Sequence, residues 1–352
     1  MRIGIVFFPA VGPADKPATT YFAEALRLVD LAEEAGFDHV KMVEHYFFRY
    51  GGYSPDPITF LAAAAGRTTR VRLGTSATIP AFTHPIKLAG KLAMLDAISG
   101  GRVDAAFGRA FLPDEFAAFG IPMDESRDRF DEGVAAVKRL WTTENASFAG
   151  RFHSFGPVTL LPRVVQHPHP PVFVTTARSL ESVATAAAEG HHLQTVPNAM
   201  TQDELAERIT LFRAEWAKAG HARPGQIHLT MPALVAEDGE AAMAMGKYDE
   251  DRNTEAIGEA VAAWGRTSSS AYPGYEKMAN IGKRLSFEEK VAQDKLLVGT
   301  PESVLAQIEG VAARYGGDDL SISLGVHSGH LDVERVAESL RLIADRVLPK
   351  LS

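Results

Sequence analysis

The chain has 352 residues, of which 46% are hydrophobic and 23% charged, and its formal net charge is −8. This balance is typical of an ordinary globular protein, and the acidic charge argues against a nucleic-acid partner held through its phosphates. Cysteine is absent, which excludes disulfides, thiolate nucleophiles and cysteine metal ligands. Glycine and proline interrupt the apolar N-terminal run, and no other segment approaches the roughly 20 apolar residues of a membrane span. We therefore expect a cytoplasmic protein with no membrane partner.

Predicted strands and helices alternate along the chain. Eight apolar or β-branched segments predict strands: IGIVFF, HVKMV, VRLGTSAT, VDAAF, PVFVTT, LQTV, IHLTMPALVA and LSISLG. Apolar residues at helical spacing predict the helices that follow them, over residues 20–35, 58–67, 86–95, 127–141, 180–189, 201–219, 301–314 and 333–348. Parallel pairing with right-handed crossovers closes eight such pairs into a (β/α)8 TIM barrel, an α/β fold. A doubly wound sheet is the main alternative, but the glycine-rich loop usual after its first strand is absent.

Two stretches interrupt this alternation. Residues 144–172 are aromatic and proline-rich, and we expect them to wrap an edge of the barrel. Residues 237–294 form an insertion between strand 7 and helix 7 that is far longer than a usual barrel loop. Because long loops in compact domains are usually functional lids or disordered, we favour an active-site lid over a plain surface insertion. The whole chain, residues 1–352, is then one barrel domain.

Polar residues follow two predicted strands at their C-terminal ends, where barrels of this kind carry their active sites. The strand VDAAF runs directly into Gly108 and Arg109. The strand HVKMV runs into Glu44 and His45, followed by several aromatic residues. A neutral imidazole there can take or hold a proton near pH 7, although a structural histidine is equally compatible with the position.

The other histidines do not form a convincing metal site. His167 and His169 lie in the loop before strand 5, whereas barrel metal sites lie at the C-terminal ends of strands. The pair at residues 191–192 has no carboxylate at helical spacing, and the histidines at 327 and 330 follow strand 8. We therefore expect no metal.

Taken in chain order, several motifs resemble those of the bacterial luciferase-like flavin-dependent monooxygenase family. They are MRIGIVFF, GFDHVKMVEHYF, RLGTSATIP with THPIKLA, LDAISGGRVDAAFGRAF with EFAAFGI, PVFVTTARSLESVATAAAEG, and VGTPESVLAQI. The motifs cover most of the chain outside residues 237–294, and they are specific in combination. The resemblance implies an enzyme that takes reduced FMN from a separate NAD(P)H-dependent flavin reductase. It would activate O2 as a C4a-hydroperoxyflavin and oxygenate an apolar or carrier-bound organic substrate.

The resemblance also assigns cofactor-binding residues. The peptide bond between Ser76 and Ala77 would be a non-prolyl cis bond beneath the flavin ring, and Arg109 would help to hold the flavin phosphate. The planar guanidinium group presents several N–H donors in a fixed geometry, which suits the binding of a phosphate. A further set opens a helix after strand 5, where backbone amides and two hydroxyls suit a phosphate even if Ser179 is also the N-cap. This set is Ala177, Arg178, Ser179 and Ser182.

His45 corresponds to the histidine that luciferases use as a catalytic base, with Glu44 either orienting it or capping the strand end. Gly108 stands where luciferase has a reactive cysteine, and we expect the glycine to leave more room beside the flavin ring. An apolar pocket at the barrel mouth is expected from the residues Phe7, Phe8, Phe47, Phe111 and Leu112.

Two other functions remain open. One is an F420-dependent dehydrogenase of the same superfamily, and the other is a non-catalytic flavin-binding protein. The Glu-His motif and the luciferase-like N-terminus favour FMN over F420, and His45 with the phosphate-site residues argues against the non-catalytic protein. Because family members usually pair through helices 2 and 3, we expect a homodimer through the alanine-rich faces at residues 61–65 and 88–93.

Overall fold

The computed structural model describes residues 1–278 and 285–351, and in it eight parallel strands close into one barrel, as predicted. The strands are β1 (Arg2–Phe7), β2 (His39–Met42), β3 (Arg72–Thr75), β4 (Val103–Gly108), β5 (Ala146–Ala149), β6 (Ser154–Val158), β7 (Val172–Thr175), β8 (His192–Thr195), β9 (Ile227–Val235), β10 (Leu297–Gly299) and β11 (Leu320–His327). The barrel order is β1-β2-β3-β4-β7-β8-β9-β11, and the pairing of β11 with β1 completes the ring. β5 and β6 form a separate antiparallel hairpin, and β10 pairs with the end of β9.

The helices surround the barrel and follow its strands. They are α1 (Ala18–Glu34), α2 (Pro57–Ala65), α3 (Pro85–Ile98), α4 (Pro113–Ala118), α5 (Ser126–Thr142), α6 (Leu180–Ala188), α7 (Gln202–Ala219), α8 (Gly239–Val261), α9 (Phe287–Ala292), α10 (Pro301–Tyr315) and α11 (Val333–Arg346). Side chains cap several of the helix N-termini: Asp56 accepts a hydrogen bond from Ile58 N at the start of α2, and Thr201 with Glu204 forms a capping box at α7.

One continuous hydrophobic core lies between the strands and the helices. Much of the alanine-rich faces that were expected to pair two subunits belongs to this core: Leu61, Leu88 and Leu92 are 0–3% exposed, whereas Ala63 is exposed. The buried residues pack onto their own barrel, and the pairing of subunits through these helices stays a prediction. The exposed apolar residues of α3 are instead Met94 and Ile98, which are 51% and 52% exposed.

The long insertion contains regular structure. Its described part holds α8, a short turn at Ala262–Gly265, and α9, and it leads into β10. Residues 279–284 of the predicted lid lie outside the described residues. The aromatic, proline-rich stretch at 144–172 contains the β5–β6 hairpin. Among the described residues, no helix combines the length and the apolarity needed to cross a membrane.

Candidate active site

His45 lies directly after β2, at the C-terminal end of the barrel. Its Nδ1 is 3.1 Å from Oε1 of Glu115, which is fully buried at the start of α4. The same oxygen accepts a hydrogen bond from Tyr46 N at 2.9 Å. A carboxylate on Nδ1 favours the tautomer with its proton there, which leaves Nε2 as a hydrogen-bond acceptor. The arrangement therefore gives His45 a fixed ring and one nitrogen that can receive a proton.

Aromatic rings surround His45. The ring centroids of Phe8, Tyr50 and Phe111 lie 5.7 Å, 5.0 Å and 5.8 Å from the imidazole centroid. The His45 side chain is only 11% exposed as a result. An apolar shell of this kind limits water around a proton-transfer group and strengthens its hydrogen bond to Glu115.

The other residues predicted for the apolar pocket lie elsewhere. Phe7 is fully buried and packs edge-on against Phe60 of α2, because the alternation along β1 turns it outward from the barrel. Leu112 is also fully buried, in a second apolar cluster with Phe116. Phe47 is 65% exposed and adopts a positive φ of 70°.

Glu44 does not contact His45 through its carboxylate. Its Oε1 accepts a hydrogen bond from Tyr46 Oη at 2.7 Å, and its Oε2 accepts one from Ile79 N at 3.2 Å. Burial raises the pKa of Glu44 to about 8, in spite of these two donors. Glu44 therefore ties the loop after β2 to the loop after β3, and Glu115 is the residue that orients His45.

Ser76 and Ala77 lie where β3 ends, and Gly108 is the last residue of β4. The expected cis bond between Ser76 and Ala77 is wrong: among the described residues, the cis peptide bonds all precede proline, at positions 157, 162 and 168. Ser76 N donates to Met42 O and Thr78 N donates to Ala106 O, at 2.7 Å and 2.8 Å. These bonds hold an extended chain between the neighbouring strands, which a trans peptide satisfies.

Gly108 packs directly against Ala77. A Cβ atom built at position 108 would lie 3.0 Å from the Ala77 methyl group, and apart from the neighbouring residues in the chain no other described atom lies within 4 Å of it. The expectation that this glycine leaves more room beside the flavin ring than a cysteine would stays a prediction. The two residues together form one small-residue wall at the ends of β3 and β4.

The predicted phosphate residues gather at the N-terminus of α6. Ser179 is the N-cap, and its Oγ accepts a hydrogen bond from Ser182 N at 3.1 Å. Arg127, which the sequence did not single out, donates from α5 to Ser182 Oγ at 3.4 Å and to Ser179 Oγ at 3.3 Å. Ala177 is half-buried in the turn that leads from β7 into this helix. Hydroxyls, helix amides and a guanidinium thus converge, which is the donor set that a phosphate needs.

Arg109 lies at the edge of the same site. Arg109, Arg127 and Ser182 line one cavity. The Arg109 Nη2 donates to Ala271 O at 2.8 Å, and its guanidinium lies 4.8 Å from the centroid of the Tyr272 ring. Its Nε is buried and has no hydrogen-bond partner among the described residues. The guanidinium of Arg178 likewise lies over an aromatic ring, 5.6 Å from the centroid of the Tyr275 ring.

Two of the histidines outside this site illustrate contacts with their own surroundings. His169 Nδ1 lies 2.7 Å from Pro170 O, and the ring of His327 stacks on that of Tyr21. Within residues 1–278 and 285–351, no group of three or more histidines and carboxylates is arranged to hold a metal ion.

Comparisons with known proteins agree with this geometry. The model of the luciferase-like monooxygenase family matches residues 1–319, and the chain belongs to that family. The crystal structure of the monooxygenase RslO1 from Streptomyces bottropensis is similar over 100% of both chains, with 48% identity and a TM-score of 0.89.

Two curated relatives are named by their reactions. The oxygenase component of the flavin-dependent trigonelline monooxygenase of Acinetobacter baylyi is 30% identical over 223 residues, which are 63% of this chain and 61% of that protein. The FMNH2-dependent dimethylsulfone monooxygenase of Pseudomonas putida is 26% identical over 310 residues, which are 86% and 82% of the two chains. The chain spans only 55% and 61% of the length of two of the curated proteins that it matches.

Proposed function

We propose that the protein is the oxygenase of a two-component, FMNH2-dependent monooxygenase in the cytoplasm. It would take reduced FMN from a separate NAD(P)H-dependent reductase and use O2, through a C4a-hydroperoxyflavin, to oxygenate an apolar or carrier-bound organic substrate. The observation that carries the proposal is the His45–Glu115 pair in its aromatic shell, on the same barrel face as the donor set at α6. The named relatives that use reduced flavin for oxygenation support it.

The residues present suit the cofactor. Arg127, Ser179 and Ser182 would bind the flavin phosphate, with the unpartnered Nε of Arg109 as a further donor. The small-residue wall of Ala77 and Gly108 would let the flat ring approach the barrel closely. Reduced FMN, when bound, supplies the two electrons that the activation of O2 requires.

His45 would act on the substrate or on the oxygen chemistry as a base. Its Nε2 is the acceptor, and Glu115 would stabilise the imidazolium that forms when this nitrogen takes a proton. The aromatic rings of Phe8, Tyr50 and Phe111 would exclude water and contact an apolar substrate.

The insertion at 237–294 would serve as the lid. Its segment 269–275 contacts the site directly, because Ala271 O accepts from Arg109 and the Tyr272 ring lies against the same guanidinium. Asp124 holds the start of this segment through three hydrogen bonds from Ser269 and Ser270. Closing or opening this segment would therefore change the access to the phosphate end of the cofactor.

We also propose that the protein is a homodimer, through the exposed rather than the buried side of α3. Met94 and Ile98 continue into Leu161 and Val165, which are 77% and 48% exposed. Val165 N donates to Asp96 at 2.7 Å, so the two segments form one apolar surface. The variant Ile98→Glu should convert the dimer to a monomer in light scattering. A wild-type protein that is already monomeric, or a variant that remains dimeric, would contradict this.

The experiment that tests the function combines binding with turnover. FMN, riboflavin and F420 are titrated separately, and product is then sought with photoreduced FMN, O2 and a panel of apolar aldehydes, ketones and phenols. We expect tight FMN binding and a product that has gained one oxygen atom. In His45→Ala, FMN affinity should stay nearly unchanged while product formation falls, and His167→Ala, at an exposed histidine, is the control.

Unchanged product in His45→Ala would remove His45 from the mechanism. Binding of F420 alone would favour the dehydrogenase, and FMN binding without product from any substrate of the panel would favour the non-catalytic protein.

A further inference from the structure

A buried lysine lies inside the barrel, below the candidate active site. Lys41 of β2 is 1% exposed, and its Nζ lies 2.6 Å from Gln194 Oε1 and 2.5 Å from His228 Nδ1. Its partners belong to β8 and β9, which are not neighbours of β2, so the contacts cross the barrel interior. Gly74 leaves space for the aliphatic part of the Lys41 side chain, since a Cβ atom at position 74 would lie 2.9 Å from Lys41 Cγ.

Lys41 forms no ion pair among the described residues, and burial lowers its pKa to about 7. An unpaired lysine in a barrel interior costs stability, and a methionine of similar volume would avoid that cost. The hydrogen bonds of Lys41 indicate a role other than stability, because they connect it to residues of the candidate active site.

Gln194 connects Lys41 to the end of β3. Its Oε1 accepts from Lys41, and its Nε2 donates to Ser76 O at 2.5 Å. The lysine fixes which way the amide points, because a flipped amide would bring two donors together at Lys41 and two acceptors together at Ser76. Thr175 Oγ1 donates to the same Ser76 carbonyl at 2.5 Å.

We propose that Lys41 and Gln194 are positioning residues that fix the plane of the Ser76–Ala77 peptide beneath the flavin ring. In a trans peptide the carbonyl and the following N–H point in opposite directions, so a fixed Ser76 carbonyl also fixes the Ala77 amide. The Lys41–Gln194 pair thereby sets the surface against which the ring would lie. This inference rests on the proposed flavin site.

Two variants separate this role from stability. In Gln194→Glu, the new carboxylate still accepts from Lys41 but cannot donate to Ser76. The ion pair then supports the fold, while the Ser76 carbonyl keeps only the hydrogen bond from Thr175 and the peptide plane is held less firmly. In Lys41→Met, the amide loses the donor that orients it. The control is Lys295→Met, which removes another buried lysine, one that donates to Met200 O on the outer side of the barrel.

The first measurement is hydrogen exchange in the peptide that covers residues 75–78, without added flavin. We expect faster exchange in Gln194→Glu and in Lys41→Met, with the melting temperature of Gln194→Glu preserved, and wild-type exchange in Lys295→Met. Unchanged exchange in the two barrel variants would overturn the proposal, and this result does not depend on whether the protein binds flavin.

The second measurement is the affinity for FMN and the absorption spectrum of the bound flavin. Loss of one well-placed hydrogen bond predicts a roughly tenfold weaker affinity and an altered spectrum for Gln194→Glu. Faster exchange with wild-type affinity and spectrum would overturn the positioning role. A wild-type protein that binds no FMN would instead contradict the proposed function, and the exchange measurement would still decide whether the Lys41–Gln194 pair fixes the peptide.

Discussion

Replacing Glu44 by glutamine should change how the stability of the protein depends on pH. Burial raises the pKa of Glu44 from 4.5 to about 8, so the folded state favours the protonated carboxyl. Its contribution to stability is fully present below pH 4.5 and is lost as the pH rises toward 8. At about 1.4 kcal/mol for each pKa unit, the full loss amounts to about 5 kcal/mol. Glutamine has the same shape and no charge, and therefore avoids this loss.

The assay is urea unfolding of the wild type and of Glu44→Gln between pH 5.5 and 8.5. The free energy of unfolding of the variant, relative to wild type, should rise by about 1.4 kcal/mol per pH unit up to pH 8 and then level off. Lys41 is present in both proteins, so its own titration cancels in the difference. A difference that does not change with pH would contradict a raised pKa of Glu44, because Glu44 would then titrate as an ordinary carboxylate.

Glu33→Gln is the matched control for this measurement. Burial acts to raise the pKa of Glu33, but the N–H donors of Val71, Thr69 and Arg70 outweigh it and lower the pKa to about 2. The stability that Glu33 contributes is therefore present above pH 4.5 and is lost only as the pH falls toward 2. Between pH 5.5 and 8.5 the variant should be less stable than wild type by a constant amount.

Three further outcomes are expected at the site. Glu115→Gln keeps the shape of the partner of His45 but removes its charge, so product formation should fall by roughly 10–100-fold with FMN affinity retained; equal rates would show that the charge is not needed. Arg127→Met should weaken the binding of FMN by roughly 10–100-fold but not that of riboflavin, and an equal effect on both would exclude a phosphate contact. Asp124→Ala should free the segment that follows Ser269, and trypsin should then cleave faster after Lys277; wild-type cleavage rates would contradict the proposed anchoring.

The fold could be predicted from the sequence because the spacing of apolar residues directly indicates strands and helices. The strand IGIVFF and the helix expected over residues 201–219 match β1 and α7 to within about two residues. Secondary structure inside the insertion was harder to predict. The pattern of α8 is charged and weakly amphipathic, so its helix depends on packing against β9 and β10.

The candidate site could be predicted where a residue lies shortly after a strand or at the start of the helix that follows it. His45 and Arg109 follow β2 and β4, and the barrel fold alone places them at its mouth. Glu115 and Arg127 lie on helices, and their contacts with His45 and Ser182 depend on how those helices pack. A weak signal did exist for Glu115, since Pro113 marks the first turn of a helix shortly after Arg109.

The error at the end of β3, the expected cis peptide bond, has a physical origin. Motifs give the order of residues but not their hydrogen-bond partners. The hydrogen bonds of Ser76 and Thr78 to the neighbouring strands hold a trans chain. These partners could not be deduced from the sequence of the strand.

We propose that this barrel binds reduced FMN and uses it with O2. Rapid mixing of the anaerobic protein–FMNH2 complex with oxygenated buffer, followed by absorbance, tests this reaction. We expect a transient species with the absorbance of a C4a-hydroperoxyflavin before oxidised FMN appears. A protein that binds only F420 and forms no oxygen-dependent species would contradict it.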